Sequence, residues 1–191
     1  SQSSPAGIPS IKRKIGGIRP WAWTPDTIEL FSDIFPRVTR APKVSELWNS
    51  DIRLLHSKPW AMEQAETLLT KSAGDWIAPS GTLGKPVSSL RELNRVRGEL
   101  GEKGYPNIVC KAPFATAGRG NRCLMEKEAI SGSMWQWLED IWLKQAIVII
   151  EPWLERVFDF SIHFYVKNGS IELQAITRLF NNARGQFKGV L

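Results

Sequence analysis

The sequence predicts an α+β chain, on three observations. Several segments carry paired helix-start signals ahead of apolar residues at helical spacing. Two apolar runs are short enough to be strands and end abruptly on a charged residue, at Lys111 and Glu151. A late pair of alternating runs flanks Lys167-Asn168-Gly169-Ser170, a hairpin turn signal that makes the pair antiparallel.

The helices come first. Thr24-Pro25-Asp26 supplies a capping threonine and a proline at the first helical position, and Ile28, Leu30, Phe31 and Ile34 then share roughly one face up to Pro36. Ser45–Leu55 has room for one or two short helices. Ser57-Lys58-Pro59 repeats the cap-and-proline start, with Ala61, Met62, Ala65, Leu68 and Leu69 at helical spacing and Gly74 as the stop. Ser88 or Ser89 opens a charged amphipathic helix to Leu100, closed by Gly101 and Gly104. Ile130–Leu143 reads as a tryptophan-rich helix.

The strands follow. Trp76–Pro79 is a short candidate. Asn107–Lys111 is apolar until its lysine, and Cys123–Met125 returns after a small-residue loop. Ala146–Glu151 is a buried strand, and Val157–Val166 and Ile171–Leu179 are the arms of the hairpin.

Composition narrows the function classes. Hydrophobic residues make up 42% of the 191, enough for a packed core, so wholesale disorder is excluded. No apolar run reaches the roughly 18 residues that span a bilayer, and Ser1–Ser10 has no apolar stretch of signal-peptide length. Cys110 and Cys123 make no close metal-type pair, and Cys110 lies in an apolar strand; the expected setting is reducing and cytoplasmic. Nine tryptophans are expected mostly in the core or lining a groove. The net charge of +6 fits nucleic acid or a small anionic ligand. No zinc finger, aromatic-interleaved RNA motif or helix-turn-helix signal accompanies it, and Lys12, Arg13, Lys14 and Arg19 read as a solvated tail.

Four constellations are able to carry chemistry. The first is Lys111 with the loop Phe114–Asn121. A strand-end lysine is fixed by its sheet, and the lack of bulk at Ala115, Ala117, Gly118 and Gly120 lets backbone N–H groups approach a phosphate, with Arg119 and Arg122 as further cations. The order is not that of a Walker A loop, where the lysine follows the glycines, and a single Gly-x-Gly is not a dinucleotide fingerprint. The second is Glu151-Pro152-Trp153-Leu154, 40 residues beyond Lys111, where proline ends strand pairing beside flat apolar groups suited to a purine. The third is Asp159, Ser161 and His163, placed by alternation on one strand face, where an acid can take a ribose hydroxyl. The fourth is Arg178, followed by Asn181, Asn182 and the loop to Gly189; arginine suits bidentate contact with phosphate or carboxylate. Each has a bland counterpart: a surface hairpin, a strand terminus, a solvated sheet face.

Taken in order, a lysine, a strand-end lysine, a small-residue loop, a helix, a Glu-x-x-Leu strand end, an acid-bearing strand and a hairpin resemble the ATP-grasp superfamily over about Ser57–Gly189. The resemblance implies an ATP-grasp-like α+β fold: a small antiparallel lid lobe at 57–150, an incomplete second antiparallel sheet from 151 to 191, and N-terminal helices at 1–56 packing on the core. It implies that Lys58 and Lys111 reach the phosphates and that Ala117, Gly118 and Gly120 belong to the loop over them. Glu151, Trp153 and Leu154 then form the adenine hinge, Asp159 meets the ribose, and Arg178 faces the reacting phosphate as a catalytic group. ATP is the implied cofactor, with magnesium in the parent enzyme. The implied reaction is activation of an unknown carboxylate as an acyl phosphate and its transfer to an amine or thiol. Alternatives are a non-catalytic nucleotide-binding regulatory module and, further off, a basic nucleic-acid-binding protein.

The departures are an Ala-Thr-Ala stretch before Gly118, Asp in place of the more frequent Glu at 159, and no late acid and Glu-x-Asn magnesium ligands. On this resemblance the chain is a fragment ending inside a glycine-containing loop, inactive by itself, with no nucleic-acid or membrane partner. An uncompleted sheet edge makes a homodimer an expectation too.

Overall fold

The computed structural model describes residues 13–191 except 42, 72, 73, 75–78, 117, 119 and 184. The chain divides into two units between His56 and Ser57. In the first, the Thr24 hydroxyl accepts the Thr27 N–H and Pro25 begins α1 (Pro25–Phe31). Pro36 sits in a short 3-10 turn rather than ending one longer helix. Trp23 packs edge-on to Phe31 and against Phe35, and Ile34 and Val38 are buried. α2 (Val44–Leu47) and α3 (Ser50–Leu55) are the two short helices expected there.

The second unit opens with α4 (Lys58–Lys71), capped by the Ser57 hydroxyl, which accepts the Trp60 N–H at 3.3 Å. Then come β1 (Lys85–Val87), α5 (Leu90–Glu102), β2 (Ile108–Lys111), β3 (Asn121–Leu124), α6 (Gly132–Gln145) and β4 (Val148–Pro152). The strands form one antiparallel sheet in the order β1-β4-β2-β3. The candidate strand at Trp76–Pro79 falls, but for Pro79, outside the described residues. Of the two serines offered as the cap of α5, Ser89 takes the Glu92 N–H, while the Glu92 carboxylate reaches back to the N–H of Ser88, one residue before the cap, a variant of the capping box.

One face of this sheet makes the core. Register sets Ile108, Cys110, Val87, Val148, Ile150 and Leu124 against Leu93 and Val96 of α5 and Leu138 and Ile141 of α6. Several are fully sequestered, and burial of each such side chain contributes roughly 1.5–3 kcal/mol. Cys110 is the buried thiol expected; burial, with the nearby Cys123 thiol adding to it, pushes its pKa up to about 12. Trp142 packs at the rim and gives its indole N–H to the Val87 carbonyl at 3.0 Å. Among the described residues no tryptophan reaches full burial. Those described, Trp21 excepted, are instead partly buried, and Trp137 and Trp142 pack against the core.

β5 (Asp159–Lys167), β6 (Ser170–Asn181) and β7 (Phe187–Val190) form a second, three-stranded antiparallel sheet. Asn168 and Gly169 both have positive φ, 50° and 78°, which makes the tight primed turn that the sequence signals. Phe160↔Arg178, Ile162↔Ile176, Phe164↔Leu173 and Val166↔Ile171 are directly paired and so share a face. Phe158 and Phe180 extend that face, and these apolar side chains stay 42–70% exposed. The fold is α+β with two antiparallel sheets, and no described helix is long and apolar enough to cross a membrane.

Candidate functional site

Alternation on β2 sends Ile108 and Cys110 into the helices and Val109 and Lys111 to the other face. β4 has the same parity: Ile149 lies beside Lys111, and Glu151 beside Val109. Lys111 Nζ and Glu151 Oε2 form an ion pair across this diagonal, each side chain 24% exposed. The segment before β1 closes on the same face. A Cβ on Gly84 would lie 2.6 Å from Ile149 Cγ2 and 2.8 Å from Glu151 Cγ.

Lys58, the first residue of α4, comes to this pair. Its ammonium donates to the carbonyls of Ala112 at 2.8 Å and Ala115 at 2.6 Å, and its backbone N–H donates to Pro113 O. Burial first, and then the Lys111 charge, lower its pKa to about 8, against the opposing pull of Glu151. Two cations and one carboxylate thus share a partly buried patch carrying a net positive charge when both lysines are protonated. Lys58 also ties down the start of the small-residue loop.

The described residues of that loop are drawn together by hydrogen bonds. Ala112 N–H donates to Gly120 O at 3.0 Å, Asn121 N–H to Gly118 O at 3.2 Å, and Phe114 N–H to the Gln145 side chain at the end of α6. Gly118 has φ +71°, and a Cβ there would lie 2.4 Å from the Gly185 carbonyl oxygen. The loop of the first sheet therefore touches the β6–β7 loop of the second. Ala117 and Arg119 lie outside the described residues. Arg122 pairs with Cys110, on the helix-packed face away from Lys111, and sits over the Trp137 ring at 5.4 Å.

The β4–β5 connection carries a second polar group. Trp153 donates its backbone N–H to Asn107 O; its ring lies 5.0 Å from the Arg156 guanidinium and 3.3 Å from the Cβ position of Gly185. One ring surface offered to a purine is thus already in use. Arg156 bonds Asp159 Oδ2 at 3.2 Å and the Asn182 carbonyl at 3.3 Å, and Asn181 Nδ2 donates to the same Asp159 oxygen at 2.7 Å. Leu154 is 42% exposed. Ser161 shares the Asp159 face, where His163 bonds the Thr177 hydroxyl at 3.1 Å.

Arg178 is not brought to this group. A two-residue turn at Asn168-Gly169 with unbroken pairing sets Asp159 opposite Arg178. The structure instead pairs His163 with Ala175 and Phe164 with Leu173, which leaves Gln174 as a bulge. The one-residue slip pairs Asp159 with Leu179 and moves Arg178 to the apolar face, 5.7 Å over Phe180. Arg156 is the contributor that sequence reasoning missed. It lies in an irregular connection where no periodicity marks it, and nothing in the local sequence singles it out.

No family model matches the sequence, and no curated protein matches it. Among solved structures the chain is similar to D-alanyl-alanine synthetase A from Vibrio cholerae O1 biovar eltor str. N16961, with 13% identity and a TM-score of 0.39. The match covers 52% of this chain and 28% of that one, so this chain spans little more than a quarter of that structure's length.

Proposed function

We propose that the unit from Ser57 onward binds ATP and is the nucleotide-binding part of an ATP-grasp ligase, which activates a carboxylate as an acyl phosphate and passes it to an amine or thiol. The observation that carries the reading is the Lys58–Lys111–Glu151 cluster beneath the loop that ends at Gly120. Two lysines in a partly desolvated patch neutralise triphosphate charge more effectively than two exposed ones. Glu151 holds Lys111 in place until phosphate competes for it. Lys58 keeps one ammonium N–H for phosphate while its other two tether the loop. The backbone at Leu154, just past the Trp153 N–H already given to Asn107, is where the adenine edge is read. Asp159 has its Oδ2 engaged by Arg156 and Asn181 and offers Oδ1 to a ribose hydroxyl.

Magnesium accompanies ATP in such enzymes and shields the phosphates. Among the described residues no three His, Cys, Asp or Glu side chains converge as a metal set. Arg178 stands on the far face of its sheet from Asp159, which favours a second reading, nucleotide binding without turnover in this polypeptide. Phosphate release from ATP with candidate carboxylates separates the two.

The test is calorimetry with Mg·ATP on the chain and on Lys111→Ala. A charge-assisted contact is worth about 1.5–3 kcal/mol, so the variant should bind roughly tenfold or more weakly. A folded wild type that binds no ATP, or a variant that binds equally well, defeats the assignment.

A further inference from the structure

We propose that two copies of this chain pack face to face through the apolar face of the β5–β6–β7 sheet. The face carries four phenylalanines and five aliphatic side chains, 42–70% exposed. Side chains of this kind carry roughly 150–250 Å² each, so their exposed fractions amount to the order of 900 Å². That exceeds the roughly 300–600 Å² of the largest patch on an ordinary monomer and matches the about 800 Å² that each partner contributes to a stable interface.

The occupant follows from the chemistry of the face. Arg178 is its one charged residue among those described, and its guanidinium lies over the Phe180 ring. A surface so uncharged gives no handle to nucleic acid or an acidic partner, in spite of the chain's net charge of +6. It is complementary to another apolar sheet face, and a twofold axis lets one such patch satisfy itself. Two twisted antiparallel sheets pack in this way with their strands aligned to within about 30° and the layers about 10 Å apart. The opposite face mixes Ser161, His163 and Thr177 with Tyr165, Leu179 and Val190, so it lacks the continuous apolar surface of the proposed contact.

The test is the mass in solution from low to high micromolar concentration, by light scattering and sedimentation. The full chain is compared with Ile162→Lys and Ile176→Thr, which sit opposite one another in mid-sheet. Ile162→Lys places an unpaired charge in the contact and should raise the dissociation constant by at least about a hundredfold. Ile176→Thr keeps strand propensity and should weaken the dimer by a smaller factor while leaving the circular dichroism spectrum unchanged. It remains informative if the lysine variant does not fold. A wild type that is monomeric throughout overturns the proposal and assigns the face to further polypeptide or a different partner. A dimer unmoved by Ile176→Thr, or assemblies that grow without limit, overturns it as well, since a twofold contact closes at two.

Discussion

In the β1–β4–β2–β3 sheet, Ile108, Val148 and Ile150 are each 0% exposed; in the β5–β6–β7 sheet, Ile162, Ile171 and Ile176 are 45–70% exposed. The residue types are the same. What differs is the cover: α5 and α6 close one face of the first sheet, whereas the apolar face of the second stays open. Strand sequence alone therefore does not decide which sheet becomes a core. Both sheets also contribute to the candidate site. The covered sheet sets Lys111 and Glu151 in register, while the second contributes through a loop, at Gly185, and through the connection that carries Arg156.

The sharpest way to break this comparison is to cut one side chain from each sheet's surroundings. Leu138→Ala leaves a cavity under the first sheet and should cost about 2–5 kcal/mol in urea unfolding. Ile162→Ala, at concentrations dilute enough to keep the chain monomeric, removes a half-exposed group and should cost under about 1 kcal/mol. Equal costs would mean that the second sheet is as well packed as the first.

How far each sheet could be read from sequence follows the same division. β2 and β4 were legible because a single charged residue ends each apolar run, and the hairpin was legible because Asn168-Gly169 suits a primed turn. β1 was not, since it has three residues with Pro86 in the middle, a pattern tolerated here because β1 is an edge strand. Lys111 with its small-residue loop and Glu151 were legible as two separate candidates, and the structure joins them through the Lys111–Glu151 ion pair. The position of Arg178 was not: a face assignment depends on parity, and the extra Gln174 that reverses it has no marker in the sequence. The tether of Lys58 to Ala112 and Ala115 joins segments more than fifty residues apart, which no local pattern encodes.

A smaller effect probes the loop where the two sheets touch. Gly118→Ala forces a Cβ onto a positive-φ residue, at about 1–2 kcal/mol, and onto the Gly185 carbonyl. The loop can relieve both by lifting, so the thermal midpoint should move little while amide exchange at 114–121 rises. A large fall in midpoint with unchanged local exchange would show that the loop contact belongs to the global fold and not to a separable closure.

The smallest expected signal is a fraction of a proton, and it reports on Lys58 directly. With a pKa of about 8, Lys58 is only partly charged at that pH in the free protein. A phosphate placed beside its ammonium favours the charged form and raises the pKa, so ATP binding near pH 8 should take up protons. The observed binding enthalpy should then vary with the ionisation enthalpy of the buffer. The effect should vanish well below pH 8, where Lys58 is already protonated, and in Lys58→Arg, which stays charged throughout. Affinity should fall as pH rises through about 8, earlier than an ordinary lysine of pKa 10.5 allows. Folding carries the opposite sign. The unfolded lysine holds its proton up to 10.5 and the folded one only to about 8, so between those values this group's contribution to stability rises with pH. Binding that weakens while the fold strengthens over one pH window separates loss of the phosphate contact from loss of structure. Buffer-independent binding near pH 8 would place the phosphates away from Lys58 and leave it solely as the tether of the loop.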